Sequence, residues 1–171
     1  CSSDLELPLL AKLQTLQAEL LSYVPKSHTL STQSELEEET HLLDMAKNIF
    51  LMIGGLAVQK YQTELEQEQE LLADLADIMI WIYASESVLM RTKKLREQPS
   101  MPAETHLPNV MTKSFIHDSF HKIEQTARRC LSQLESGDTL RTQLSVLKKL
   151  TRRNPVNETK LKRTIAEQVV Q

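Results

Sequence analysis

His117 and His121 stand four residues apart on one face of an expected helix, with Asp118 and Glu124 beside them. That spacing can bring two imidazoles to one metal ion. Asp118 occupies the place where an HExxH site carries its glutamate, and no third ligand is indicated. The pair is therefore read as part of a solvated helix face. The carboxylates Glu66, Glu70, Asp74 and Asp77 also recur at i+3 and i+4. Di-iron bundles repeat carboxylates in this way but need Glu-x-x-His pairs, and this chain is read as having none. Glu66 and Glu70 are expected to face solvent. Asp77 directly precedes the most apolar stretch, so it is expected to cap or pair structurally, because a half-buried carboxylate needs a partner.

Ser85, Glu86 and Ser87 have no base in a nucleophile arrangement nearby. Glu86 and Arg91 are five apart, a poor spacing for pairing along one helix. Each is expected to reach another helix or another domain. There is no Walker loop, GxGxxG or GxSxG. No residue is assigned a catalytic, cofactor-binding or metal-ligating role.

The elements that carry these residues are all helical. Glu, Gln, Leu, Lys and Ala, all good helix formers, dominate the 171 residues, and there are three glycines. Leucine periodicity predicts a first helix over about 7–23 and a second over about 34–61, with Ser34 and Glu37 as a capping box. A third helix is predicted over about 63–97, capped by Thr63 and Glu66. Its segment 78–84 (IMIWIYA) is apolar on most sides, so this helix should be central in its domain. A proline-bearing linker over 98–108 precedes a fourth helix over about 109–135, which Gly137 ends as a left-handed cap. Two short helices follow over about 138–152, capped by Asp138 or Thr139, and about 157–169, capped by Asn157. The fold class is all-α: an up-and-down bundle of four long helices plus a short C-terminal helical pair, forming one domain over 1–171. Gly54 and Gly55 lie inside the second helix at a cost of about 1 kcal/mol each. A neighbouring helix at close approach is the expected reason.

Hydrophobic residues make up 40% and charged residues 25%, the balance of a soluble globular protein. Residues 1–100 hold 16 acids and 8 bases, and residues 101–171 hold 7 acids and 12 bases. The basic tail is expected to pack on acidic parts of its own protein. Nucleic acid is not an expected partner, because no aromatic residue lies beyond Phe120 and no recognition motif is present. Cys1 and Cys130 have no metal or redox spacing, which suits a reducing, cytoplasmic setting, with Cys130 as a small half-buried side chain. The longest apolar run, residues 49–58, is far below the ~20 residues of a membrane span. Lys148, Lys149, Arg152 and Arg153 beside Leu144, Leu147 and Leu150 are read as a solvated helix end rather than a membrane contact.

One resemblance runs through most of the chain. Glu68, Gln69, Leu71, Leu72, Leu75, Ala76, Asp77, Ile80, Tyr83, Ala84, Ser87, Val88, Leu89 and Arg91 resemble a helix of the very-long-chain type of acyl-CoA dehydrogenase. Phe50, Leu51, Gly54, Gly55, Ala57, Val58, Gln59, Lys60 and Tyr61 are similar to the preceding helix of the same extra C-terminal domain. Downstream, residues 137–144 (GDTLRTQL) and 150–153 (LTRR) resemble bacterial members. Gln62 departs from the pattern, standing where relatives tend to carry a glycine between two helices.

The resemblance implies a parent flavoprotein that uses FAD and a glutamate base to oxidise acyl-CoA at the α–β bond. No position here matches the residues that do this. With its start at Cys1, the chain reads as a piece of that larger enzyme, itself colourless and inactive. Its implied partners are the remaining domains of the parent and, through the face they would cover, a second copy of itself. Its implied work is to pack on the catalytic body and influence oligomeric state. The alternative is a free-standing helical interaction module that binds a partner through Gly54 and Gly55 or the basic tail.

Overall fold

The computed structural model describes residues 36–97 and 107–170. The expected helix over 7–23, the Ser34 half of the first capping box, most of the 98–108 linker and Cys1 lie outside the described residues. Within them the all-α expectation is met, with helices α1 (Glu37–Tyr61), α2 (Gln69–Arg96), α3 (Leu107–Leu134), α4 (Gly137–Leu150) and α5 (Glu158–Val169).

Leu36, the residue before α1, is buried and lies in the left-handed region at φ 77°. No side chain caps this end. Instead the Leu36 carbonyl accepts from both the Thr40 backbone N–H (3.0 Å) and the Thr40 hydroxyl (2.7 Å). Glu37, Glu38 and Glu39 place negative charge at the positive end of the helix dipole. Leu42, Met45, Ala46, Ile49, Met52, Ile53, Leu56 and Ala57 then bury one face at helical spacing. On length and hydropathy α1 could cross a bilayer, yet more than half of its apolar window is buried inside the protein, as in a core helix.

The third predicted helix does not start at Thr63. Residues Gln62–Gln67 form a 3-10 segment, and α2 begins at Gln69 with Glu68 before it and no side-chain cap. The break follows from Gln62, whose φ of 48° and ψ of −119° end α1 in a conformation that favours glycine. The missing glycine noted in the sequence therefore falls on the residue that turns the chain.

Cross-helix contacts fix the direction of each helix. Lys93 donates to the Thr40 hydroxyl (3.0 Å) and Lys47 to Glu86 (2.6 Å), so α2 runs antiparallel to α1. Arg129 bonds Asp74, and the hydroxyls of Thr92 and Thr112 meet at 2.7 Å, so α3 runs antiparallel to α2. At the far end Lys60 donates to the carbonyls of Gln133 (3.0 Å) and Leu134 (2.6 Å). Two carbonyls left unpaired by the end of α3 thereby find a donor on α1.

The expectation that the 78–84 helix is central needs correction. In α2, Leu71, Leu75, Ile78, Ile82 and Leu89 form one buried stripe, while Met79, Ile80 and Tyr83 are exposed. The central element is α3. It packs against α1, α2, α4 and α5, and it buries Ile116, Phe120, Ile123, Ala127, Cys130, Leu131 and Leu134. Gly137 has the expected left-handed φ of +57°, but it stands as the first residue of α4, with two residues between it and the end of α3, rather than as the cap of α3. Ser136, not Asp138 or Thr139, takes the cap position of α4. Asn157 caps α5 as expected, its side-chain oxygen accepting from the Lys160 N–H at 2.9 Å. Helix α5 buries no residue completely and lies on α3.

Candidate functional site

Each candidate group sits where a polar residue of the central helix meets a neighbour. The acidic turn that opens α1 lies beside the first half of α3. There Glu39 is 2% and His117 3% exposed, and His117 Nε2 lies 3.6 Å from Glu39 Oε1. Lys113, one turn earlier on α3, places its ammonium 3.6 Å from the same oxygen. Burial alone would push the Glu39 carboxyl up. The His117 contact, the backbone amide and the charge of Lys113 outweigh it and hold the group below its ordinary value. Glu39 Oε1 and His117 Nε2 have no hydrogen-bond partner among the described residues. Glu38 brings a further carboxylate oxygen to the group.

The histidine expectation thus fails in part. His121 is exposed, with its Nε2 2.9 Å from Gln125 Nε2, as a solvated face requires. His117 is a core residue. The four-residue repeat places the two imidazoles at successive turns, but helix twist carries His117 toward α1 and His121 toward solvent. Glu39 escaped notice because it sits in a run of three glutamates explained by the helix dipole. The reading that the chain has no Glu-x-x-His pair is also wrong, because Glu38 and His41 form one on α1.

The second group joins α2 to α3. Asp74, 8% exposed, accepts from Arg129 Nε at 2.8 Å and from Nη2 at 2.5 Å, a two-pronged contact. Asp77, expected to be the buried carboxylate, is exposed, and Asp74 takes that role one turn earlier. Glu66 and Glu70 are exposed as expected. Cys130 is completely buried, its sulfur 3.9 Å from Asp74 Oδ2. Burial, followed by the Asp74 charge, pushes its thiol up to about 12, so it is not a nucleophile at neutral pH.

The third group holds the segment between α4 and α5. Arg153 donates to Glu124 Oε2 at 3.1 Å, and its guanidinium stands 4.9 Å from the Phe120 ring centre. Arg128 donates to the other oxygen of Glu124 at 2.9 Å. Arg153 is thus a structural tie rather than part of a solvated helix end, whereas Lys148, Lys149 and Arg152 are exposed as expected. Lys113 and Arg129 meet acids of the front half, as the charge asymmetry suggested. Glu86 reaches across to Lys47 as its spacing required.

Two surface features complete the inventory. Gly54 has open space where a Cβ would stand, so the close helix approach expected there is not found at that position. Gly55 is buried. On α2, Met79, Tyr83 and Met90 share one face and Ile80 flanks it, at 53%, 73%, 66% and 60% exposure. Trp81 turns away from this stripe toward α3, 6.3 Å from the Phe115 ring and 4.1 Å from the Lys122 ammonium.

A family model described as acyl-CoA dehydrogenase, C-terminal domain, matches residues 45–149. The chain is 40% identical over 162 residues to a probable acyl-CoA dehydrogenase of Bacillus subtilis (strain 168), a match that covers 94% of this chain and 26% of that protein. The crystal structure of an acyl-CoA dehydrogenase complexed with FAD from Bacillus anthracis is similar at a TM-score of 0.84 and 39% identity. That match covers 96% of this chain and 27% of the other. The chain therefore spans about a quarter of the length of both relatives.

Proposed function

Because the chain belongs to the acyl-CoA dehydrogenase family, through that family's C-terminal domain, we propose that it works as a non-catalytic helical domain. In this reading it packs on the flavin-bearing body of a parent enzyme that oxidises acyl-CoA at the α–β bond. The observation that carries the reading is its length. It aligns along nearly its whole extent with about a quarter of each relative, leaving the larger part of the relatives without a counterpart here.

The described residues do not fit FAD. A pyrophosphate is held by backbone N–H groups at a glycine-rich turn or helix start, or by converging arginines. Gly54 and Gly55 lie in mid-helix, and Gly137 is followed directly by Asp138. Arg129 and Arg153 are already tied to Asp74 and Glu124. No step of flavin chemistry is therefore routed through this chain.

Its contribution is an apolar docking face. Met79, Ile80, Tyr83 and Met90 lie on the side of α2 away from the core, and together they favour removal from water by association. We take the whole 1–171 segment as one domain of a soluble protein, with Cys130 sealed inside it. Covering one face of the catalytic body is how it would influence the oligomeric state of the parent.

The test compares the chain alone with the full-length protein that contains it. The chain alone is expected to be colourless and to leave an acyl-CoA and an artificial electron acceptor unchanged. The full-length protein is expected to show flavin absorbance and dehydrogenase activity, and to change its assembly state when this segment is deleted. Flavin binding or turnover by the chain alone would overturn the reading.

A further inference from the structure

We propose that Glu38, Glu39 and His117 form a binding site for one divalent transition-metal cation of the zinc type. One ligand atom from each residue lies within 4.8 Å of the others. Two buried atoms of the group, Glu39 Oε1 and His117 Nε2, have no hydrogen-bond partner among the described residues although each is almost fully shielded from water.

The spacing between these two atoms carries the argument. A hydrogen bond would bring them to about 2.8–3.0 Å. They stand 3.6 Å apart. Ligands about 2.0–2.1 Å from a tetrahedral zinc are separated by about 3.3–3.4 Å. The gap is wider than a hydrogen bond, at ion-pair distance, and close to the edge of a coordination sphere.

The donor set is consistent with that assignment. Imidazole nitrogen with carboxylate oxygens suits zinc and its first-row neighbours better than calcium or magnesium, which prefer oxygen alone. Glu38 is half-buried and lies nearer the surface than the other two. Lys113 opposes a cation, since its ammonium stands 3.6 Å from Glu39 Oε1. Its side chain is 37% exposed and flexible, so it can swing into water when a metal enters. The site is independent of the docking reading, because it joins α1 to α3 inside this chain.

The test uses the full 171-residue chain, stripped with a chelator and titrated with cobalt(II) or zinc(II) under equilibrium dialysis. One bound ion per chain is expected, with a visible cobalt spectrum and a raised melting temperature. His117→Gln and Glu38→Gln should each weaken binding at least about tenfold, since even changes behind the ligands cost about 10–100-fold. Lys113→Met should tighten it, a response that an unrelated surface site would not give. Helical circular dichroism checks that each variant folds. Glu38→Gln, which alters a half-exposed side chain, decides the matter if His117→Gln does not fold. No saturable binding by the native chain, or binding unchanged in Glu38→Gln and Lys113→Met, overturns the proposal.

Discussion

Glu124 on α3 receives Arg153, a residue 29 positions later in the chain, at 3.1 Å, and this contact pins the segment between α4 and α5 to the central helix. The same guanidinium lies over Phe120, so charge and ring contact act on one side chain. Helix α5 buries nothing completely, and its attachment to α3 therefore leans on the segment that leads into it.

Acid should loosen this tie. Burial raises the Glu124 carboxyl, but hydrogen bonds from Arg128 and Arg153 outweigh it and hold the group below its ordinary value of 4.5. A carboxyl lowered on folding stabilises the fold above its unfolded value, and that stabilisation is lost as pH falls through the folded value. Glu124→Gln should therefore cost roughly 1 kcal/mol near neutrality. The difference from the native chain should shrink below about pH 4. Urea midpoints across that range check it; a difference that is flat with pH would count against the assignment.

The turn after α1 predicts a stabilising change. Gln62 holds a backbone that glycine adopts freely, and a non-glycine residue in such a region costs about 1–3 kcal/mol. Gln62→Gly should raise stability by about 1 kcal/mol after the extra freedom of the unfolded chain is subtracted. Gly54→Ala should also stabilise, by about 0.5–1 kcal/mol, because a Cβ there meets open space within a helix. Thermal denaturation of the two single variants and the double variant measures both. A loss at Gly54 would mean that a neighbour does occupy that space.

The helices among the described residues were legible because leucine and isoleucine periodicity survives tertiary packing. The Asn157 cap and the left-handed Gly137 were legible because both follow from local geometry. The Thr63 start failed because the backbone at Gln62, and not the capping pair, decides where α2 can begin. The placement of the 78–84 helix failed for a different reason. Apolar residues all round a helix indicate burial, and part of this apolar surface lies on the outside of the chain. Asp74 and Glu39 could not be separated from their acidic neighbours by spacing alone. Their partners, Arg129 and His117, lie 55 and 78 residues away, so only the fold brings each pair together.

Cys130 should be chemically silent. Its sulfur is enclosed, and its thiol is pushed up to about 12 by burial and by Asp74. In a Cys1→Ser chain, which keeps Cys130 as the one thiol, an aromatic disulfide reagent should react only as fast as the protein opens. Adding denaturant should release one equivalent at once. Rapid labelling of the folded chain near neutral pH would show that α3 opens locally beside Asp74.

The outward face of α2 separates a docking domain from a free-standing module. Met79, Tyr83 and Met90 repeat at i, i+4 and i+11, which keeps them on one side of a helix of 3.6 residues per turn. Met79 and Tyr83 are both more than half exposed, so Met79→Lys with Tyr83→Lys should change the stability of the chain by no more than surface substitutions do, about 0.5 kcal/mol each. The same pair should abolish binding of a hydrophobic dye and any self-association of the chain. In the full-length protein it should destabilise the assembly or shift its oligomeric state, read by sedimentation and flavin retention. An unchanged full-length protein would show that this face does not dock, and the apolar stripe would then serve a partner outside the enzyme.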